Sequence, residues 1–313
     1  QSSISPQIFD RWSVSAYDTL YLSTGAHDFK VGVDYAYDVF PFEAHFNEKG
    51  VFTFTTDAPF NAAVPATYPI SFTMQTPGLY EYRSHQVAAY AQDEWQIRPR
   101  LHLNLGLRYD LDTNLRINNF YTDLLANPFY APLSRFRGEA DGGMYLGTLQ
   151  PRLGIAYDVK GNGSFVTRAG WGRYVTRNRP WFAARTMNQT TSSSVFITDP
   201  TALQFFPDIS RVLGGRSLGE FATTASQNIG TLIPDDFKLP SSLNTTVGFG
   251  WQLNAVTSLD VDYVNTLGRD QIGTIDLNLP SSGRVNAANP RPVPQFAQVL
   301  ALQNYVKSRY DAL

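Results

Sequence analysis

The sequence contains no cysteine, and this absence excludes several kinds of chemistry. A disulfide framework, a thiolate metal site and a thiol nucleophile all need that residue. The histidines, His27, His45, His85 and His102, show no metal-ligand spacing and lie in no zinc-binding motif. The adjacent carboxylates Asp93 and Glu94 would point to opposite faces of a strand, so they cannot flank one scissile bond. We therefore expect no enzymatic activity, no bound metal and no other cofactor.

Long apolar runs are also missing. No stretch reaches the roughly eighteen apolar residues of a membrane-spanning helix, and the mean hydropathy is -0.23. Both observations exclude a transmembrane helix but not a transmembrane barrel, whose strands alternate between apolar and polar residues. The net charge is only -2, from 25 basic and 27 acidic residues spread along the chain. Without a basic stripe for phosphates, nucleic acid is not an expected partner.

Aromatic residues are plentiful, at 14% of the chain, while charged residues reach only 17%, and this balance favours strands. The clearest alternation lies at 101–112, where leucines and Tyr109 occupy odd positions and polar residues or glycine occupy even positions. Such a pattern indicates a strand with one apolar and one polar face. The pattern recurs along the chain, and we predict strands at about 11–22, 28–39, 84–97, 101–112, 149–160, 164–176, 243–254, 257–268 and 305–313.

Short and long connections alternate between these strands. The long ones cover 40–83, 113–148, 178–242 and 269–304, and in a compact soluble domain such loops would argue against the strand assignment. They are expected in an outer-membrane barrel, where periplasmic turns are short and extracellular loops are long. We therefore predict an all-β fold: an antiparallel transmembrane β-barrel segment, a partial barrel in the lipid bilayer of a bacterial outer membrane.

Charged residues on the polar faces support a water-filled interior. They would be intolerable in the core of a β-sandwich but are well placed in a wet lumen. The residues predicted to face the lumen are Arg108, Asp110, Arg152, Asp158 and Arg168.

Four segments resemble the barrel strands of TonB-dependent receptors, especially the Oar-like branch. They read YAQDEW at 90–95, NLGLRYD at 104–110, QPRLGIAYD at 150–158 and RAGWGRY at 168–174. The resemblance implies a barrel of about twenty-two strands with a plugged lumen, a TonB-type energy-coupling protein as partner, and a small-molecule or oligomeric ligand. The sequence shows no plug domain, no energy-coupling box and no closing aromatic strand. We therefore expect residues 1–313 to be a fragment, a partial barrel domain with its plug domain absent.

The longest connection, 178–242, carries aromatic and basic side chains that could stack on or ion-pair with a ligand. The candidate ligand-contacting residues are Arg179, Trp181, Phe182, Arg185, Phe205, Phe206 and Arg211. The same side chains could instead pack the loop on itself, and the general behaviour of long surface loops favours that alternative. Helical spacing predicts short helices at 201–206 and 217–227, and another near 296–303.

Three functions fit these features. The first is energy-coupled uptake of a scarce ligand, such as a siderophore, cobalamin, an oligosaccharide or a peptide, through an outer-membrane receptor barrel. The second is a passive porin-like barrel, and the third is a soluble β-rich carbohydrate-binding protein or enzyme. The charged faces count against the third, because that fold requires apolar residues on both inner faces.

Overall fold

The structure, a computed structural model, describes residues 7–222 and 227–313. Its strands are β1 (Gln7–Phe9), β2 (Trp12–Thr24), β3 (His27–Ala44), β4 (Val51–Thr53), β5 (Ser71–Gln75), β6 (Gly78–Arg98), β7 (Leu101–Asp112), β8 (Gln150–Asp158), β9 (Phe165–Val175), β10 (Ser194–Ile197), β11 (Gln227–Leu232), β12 (Ser241–Asn254), β13 (Thr257–Asp276) and β14 (Phe296–Ala312). Its α-helices are α1 (Asn118–Ala126), α2 (Ser134–Arg137), α3 (Pro180–Thr191), α4 (Pro200–Leu203), α5 (Ile209–Val212) and α6 (Leu218–Ala222).

Nine long strands form one antiparallel wall in the order β2-β3-β6-β7-β8-β9-β12-β13-β14. Each long strand pairs with the long strands that come before and after it along the chain, as expected for antiparallel hairpins. Within the described ranges the wall is open, because β2 pairs only with β3 and the last residues of β14 pair only with β13. The prediction of an all-β partial barrel is therefore confirmed.

The wall has one apolar face and one polar face. Large apolar side chains stand exposed on the outward face, among them Val33 at 55%, Leu107 at 47% and Val247 at 51% relative exposure. Such an extensive exposed apolar surface is abnormal for a protein surrounded by water but fits the lipid-facing band of an outer-membrane barrel. The even-numbered residues of β3, β6 and β7 lie on the opposite, lumen-facing side.

Several strands extend beyond their predicted ends, so the prediction began the long connections too early. The strand predicted at 28–39 continues to Ala44, and the strand predicted at 84–97 begins at Gly78. Above the lipid-facing band, the large apolar residues lie on the lumen side of the strands instead of the outward side. Phe42 and Tyr82, for example, are fully buried on the lumen side. Loop segments cover them there, and the outward positions no longer meet lipid. This exchange of faces breaks the alternation on which the predicted ends relied.

The long connections fold into a cap with two apolar clusters instead of remaining structureless. The first cluster joins the extended strands to loop segments and includes Phe42, Tyr82, Leu133, Ile233 and Phe296. The second includes Phe72, Val195, Leu203 and Val212, and it lies on a small sheet of order β10-β5-β4.

The helix predictions had mixed outcomes. A helix near 296–303 is wrong, because that segment is the first half of β14, where Phe296 and Val299 are buried against the first cluster. Two short helices, α4 and α6, overlap the segments predicted at 201–206 and 217–227, although residues 223–226 lie outside the described part. No helix in the described ranges is long and apolar enough to span a membrane.

Candidate functional site

A charged network crosses the lumen face of the first strands. The guanidinium of Arg108 on β7 donates to Asp34 on β3 at 2.8 Å and to its own-strand neighbour Asp110 at 2.8 Å. It also lies 5.8 Å from the ring centroid of Tyr90 on the intervening strand β6. The predicted pair Arg108 and Asp110 therefore holds three strands together and balances charge within the face.

The other predicted lumen residues have separate partners. Arg168 on β9 donates to Asp262 and Asp260 on β13, at 2.5 and 3.3 Å, and sequence analysis missed both acids although they occupy even positions of an alternating strand. Arg152 lies 4.6 Å from the ring centroid of Tyr174. Asp158 accepts hydrogen bonds from the turn amides of Gly161 and Gly163 at 2.9 and 2.7 Å, so its side chain caps a short turn.

A cleft of about 270 Å³ opens on the lumen face beside the cap. Its lining includes Asp34, Gln86, Arg108 and Asp110 from the wall and Arg177 from the segment that follows β9. With carboxylates and arginines in its lining, the cleft can bind both cationic and anionic groups of a polar ligand. Asn178, the first residue of the longest connection, also lines this cleft.

Two buried aspartates anchor the wall near this cleft. Asp38, 3% exposed, accepts from Arg11 at 2.9 Å and from Gln86 at 3.0 Å. Asp112, 8% exposed, accepts from Ser84 at 2.6 Å and from Asn178 at 3.1 Å. Sequence analysis singled out neither aspartate.

The Asp112–Asn178 bond ties the longest connection to the lumen face. Helix α3 begins at Pro180, two residues after Asn178, and contacts both β3 and β6. These contacts place the start of the connection over the inner side of the wall.

Four of the candidate ligand-contacting residues lie at or on α3. The ring of Trp181 is 5.1 Å from that of Phe42 and 5.3 Å from that of Phe9. Phe182 packs against the first apolar cluster, whereas Arg179 and Arg185 are exposed. The two aromatic residues thus support the cap, and the two arginines remain accessible to a ligand.

Of the remaining candidates, Phe205 packs against the second cluster, whereas Arg211 is exposed. The guanidinium of Arg211 stands 4.0 Å from the ring centroid of Phe205, a cation-π geometry. The ring of Phe206 meets Phe52, Phe54 and Phe60 at centroid distances of 4.9, 5.2 and 5.1 Å. Aromatic contacts with the connection after β3 therefore hold this part of the longest connection in place.

The cap also buries a charged side chain. Arg137 is fully buried, with its guanidinium 4.4 Å from the ring centroid of Tyr121. Burial lowers the pKa of Arg137 and raises the pKa of Tyr121. The Tyr121 hydroxyl oxygen accepts from the Ile233 amide at 2.8 Å, which joins the connection after β7 to the connection after β9.

Among the residues that the structure describes, no group of three or more His, Asp or Glu side chains could hold a metal ion. Asp93 pairs with His27 at 2.9 Å, and Glu94 accepts from Gln92 at 3.3 Å. The carboxylates of Asp93 and Glu94 therefore lie on opposite faces of β6.

Comparison with known proteins agrees with this architecture. The sequence profile of the family described as "Outer membrane beta barrel domain" matches residues 1–313. The chain is 24% identical to the TonB-dependent transporter Oar of Myxococcus xanthus, over 96% of this chain and 30% of that protein. The crystal structure of the outer membrane transporter YddB from Escherichia coli superposes with a TM-score of 0.57 at 16% identity, covering 95% of this chain and 29% of YddB.

The chain thus spans about 30% of the length of the curated relative that it matches. The siderophore receptor PirA from Acinetobacter baumannii gives a TM-score of 0.46 at 11% identity, covering 97% of this chain and 34% of PirA. Because the family profile matches the whole chain, the chain belongs to the outer-membrane β-barrel family and is located in the bacterial outer membrane.

Proposed function

We propose that this chain is part of the barrel of an energy-coupled outer-membrane transporter that takes up a scarce ligand. The observation that carries the proposal is the cap: the connection after β9 folds back over the lumen face through Asn178 and α3. A cap above a polar lumen suits a receptor that first captures its ligand and then admits it. The similarity to a TonB-dependent transporter points the same way.

The passive porin alternative requires an open water-filled lumen. Here α3 contacts β3 and β6, and the segment that leads to it is bonded to Asp112, so both occupy part of the lumen face. This arrangement favours gated entry over free diffusion. The soluble carbohydrate-binding alternative is wrong, since the chain belongs to an outer-membrane family and exposes a lipid-facing apolar band.

We assign capture to the exposed arginines of the cap and passage to the charged lumen face. Arg179 and Arg185 stand free of the apolar cluster and can pair with an anionic group on a ligand. The ligand falls in the class of solutes too large or too dilute for a porin, which includes siderophores, cobalamin, oligosaccharides and peptides. Energy would come from a TonB-type coupling protein that acts on the full-length transporter.

The test uses cells that express the full-length protein and a panel of labelled solutes: a ferric siderophore, cyanocobalamin, a maltooligosaccharide and a peptide. We expect saturable uptake of one class that a protonophore abolishes. The purified full-length protein should also show no steady conductance in a planar bilayer. Protonophore-insensitive, non-saturable uptake together with an open conductance would instead establish the porin alternative.

A further inference from the structure

Two connections of the cap meet at a group of three residues, Arg137, Tyr121 and Asp235, the Arg137 junction. Arg137 on α2 and Tyr121 on α1 belong to the connection after β7, and Asp235 belongs to the last part of the longest connection. The Asp235 amide donates to the Arg137 carbonyl oxygen at 2.8 Å, and the Glu139 amide donates to Asp235 Oδ2 at 2.8 Å. These hydrogen bonds hold the two connections together.

The side chain of Arg137 is poorly satisfied in this arrangement. Its Nη2 donates to Asn118 Oδ1 at 3.0 Å and to the Arg116 carbonyl oxygen at 3.3 Å. Its Nε and Nη1 are buried without a hydrogen-bond partner among the residues that the structure describes. A buried cation is ordinarily paired with an acid or fully hydrogen-bonded, because burial without such partners is costly. Arg137 has only the ring of Tyr121 beneath it.

An acidic partner lies close to Arg137 but is not used. Asp235 packs against Gly138, the next residue along the chain, where an added Cβ would lie 2.2 Å from Asp235 Oδ2. The carboxylate bonds the Glu139 amide instead of the guanidinium. The charges of Asp235 and Asp236 favour the charged form of Arg137, but burial outweighs them and lowers its pKa. Asp235 is half-buried and Asp236 is exposed, so a second, wetter position for the guanidinium lies beside them.

We propose that Arg137 is a release device for the closed cap, the arrangement that the structure shows. The two connections separate at the Arg137 junction when the guanidinium leaves the ring of Tyr121 and pairs with Asp235 in contact with water. The unmade hydrogen bonds exist in the closed cap alone, because a hydrated guanidinium paired with a carboxylate is satisfied. The closed cap is therefore less stable than a fully bonded one, and a smaller difference in ligand affinity suffices to open it. The inference rests on the proposed function for what opening serves, which is to admit a captured ligand.

Arg116 provides a matched contrast at the same place in the cap. Its Nε donates to the Phe237 carbonyl oxygen at 3.0 Å, and its Nη1 donates to the Gly142 carbonyl oxygen. The guanidinium also lies 5.9 Å from the ring centroid of Tyr145. Because its hydrogen bonds join the connection after β7 to the longest connection, Arg116 stabilises the closed cap. The same substitution is therefore expected to have opposite effects at Arg116 and Arg137.

The test measures hydrogen–deuterium exchange of the full-length protein in detergent, which reports local opening without ligand or transport. R137M keeps the apolar stem of the side chain and removes its charge. Amide exchange in 113–140 and 232–240 should slow about tenfold in R137M, since replacing a buried charge by an apolar side chain is often stabilising. Exchange in the same segments should accelerate in R116M. Heat-modifiable migration on gels checks that each variant is a folded barrel.

D235N tests where the guanidinium goes. An asparagine Oδ1 can still accept from the Glu139 amide, but a neutral amide attracts the released guanidinium less than a carboxylate does. Exchange should therefore slow in D235N, and D235N should add nothing in the R137M background.

Unchanged or faster exchange in R137M overturns the proposal, since Arg137 would then support the closed cap as Arg116 does. An equal effect of D235N with and without Arg137 also overturns it, because no guanidinium would then move to that carboxylate. A parent protein that takes up no solute contradicts the proposed function alone, because the exchange results decide the inference without transport.

Discussion

Arg168 on β9 and Asp262 on β13 form an ion pair across the strand that separates them, with Nε to Oδ1 at 2.8 Å and Nη2 to Oδ2 at 2.5 Å. The residue between them on β12 is Gly248, which pairs in register with both. The two side chains meet because the middle strand has none at that position. A similar device lets Tyr90 on β6 pass over Gly32 on β3 and hydrogen-bond Thr19 on β2 at 2.7 Å.

Gly248→Ala is expected to destabilise the barrel by about 1 to 3 kcal/mol, as overpacked sites do. A Cβ there would lie 2.0 Å from Asp262 Oδ1 and 2.4 Å from the Val261 carbonyl oxygen, and backbone cannot move aside as a flexible side chain can. The matched control is Gly170→Ala, where the nearest atom would be 3.9 Å away. Urea unfolding of the full-length protein in micelles measures both. Equal unfolding midpoints for the two variants would refute the role of Gly248.

Leu105→Arg should impair membrane assembly by roughly 2 to 4 kcal/mol, the penalty for a cation on the lipid face near mid-bilayer. Leu105 is 39% exposed on the outward face of β7. Gln92→Arg is the control, since Gln92 lies on the neighbouring strand, opposite Gly106, with its side chain on the lumen side. Heat-modifiable gel mobility reports the assembled fraction. If both variants assemble equally well, the assignment of the two faces is wrong.

Trp181→Ala should loosen the cap by about 2 kcal/mol, less than for a fully buried tryptophan because the side chain is only half-buried. Its contacts with Phe9 and Phe42 are lost, so proteolysis within 178–242 should accelerate. Arg185→Ala removes an exposed side chain and should leave proteolysis unchanged while it weakens ligand uptake. Accelerated proteolysis in Arg185→Ala with unimpaired uptake would reverse the roles assigned to these residues.

His45, in the turn after β3, should titrate above its ordinary pKa of 6.5. Its Nδ1 faces Glu48 at 2.8 Å and its Nε2 faces Glu43 at 2.7 Å, and these hydrogen bonds raise the pKa of His45 by favouring the charged ring. The stabilisation of the turn is therefore fully present below pH 6.5 and is lost as pH rises through the raised pKa.

NMR of the labelled imidazole in the full-length protein measures that titration. Glu48→Gln should bring the pKa of His45 back toward 6.5, whereas Glu139→Gln, on a different connection, should not. A pKa of His45 at or below 6.5 in the parent protein would show that the two carboxylates do not hold the ring.

The lipid-facing part of the wall could be predicted from sequence because two solvents act on it. Lipid on one side and water on the other impose a strict alternation, which is clear at 101–112. Above that level, protein covers the lumen side and water meets the outside, so the alternation reverses at Phe42 and Tyr82. The apolar residues continue to alternate beyond the reversal, but on the other face. A search for one uninterrupted alternation reads the reversal as the end of the strand.

Partnerships between distant residues could not be predicted at all. Arg168 was expected to face the lumen, but nothing local indicates that its partners are Asp260 and Asp262, more than ninety residues away. The packing of 296–303 as a strand also depends on distant contacts, because Phe296 is buried beside Phe129 and Tyr130 from another connection. Local spacing of apolar residues fits a helix there equally well.

The proposed orientation places the short turns on the periplasmic side and the capped connections outside the cell, where a ligand is captured. The chain contains no cysteine, so single cysteines introduced into the full-length protein can be probed in intact cells with a membrane-impermeant maleimide, with the parent protein as background. Val256→Cys lies in the turn after β12 at 92% exposure, and Ala287→Cys lies in the exposed connection after β13. We predict that Ala287→Cys is labelled in intact cells and Val256→Cys only after the outer membrane is permeabilised. Labelling of Val256→Cys in intact cells, with Ala287→Cys protected, would contradict the account.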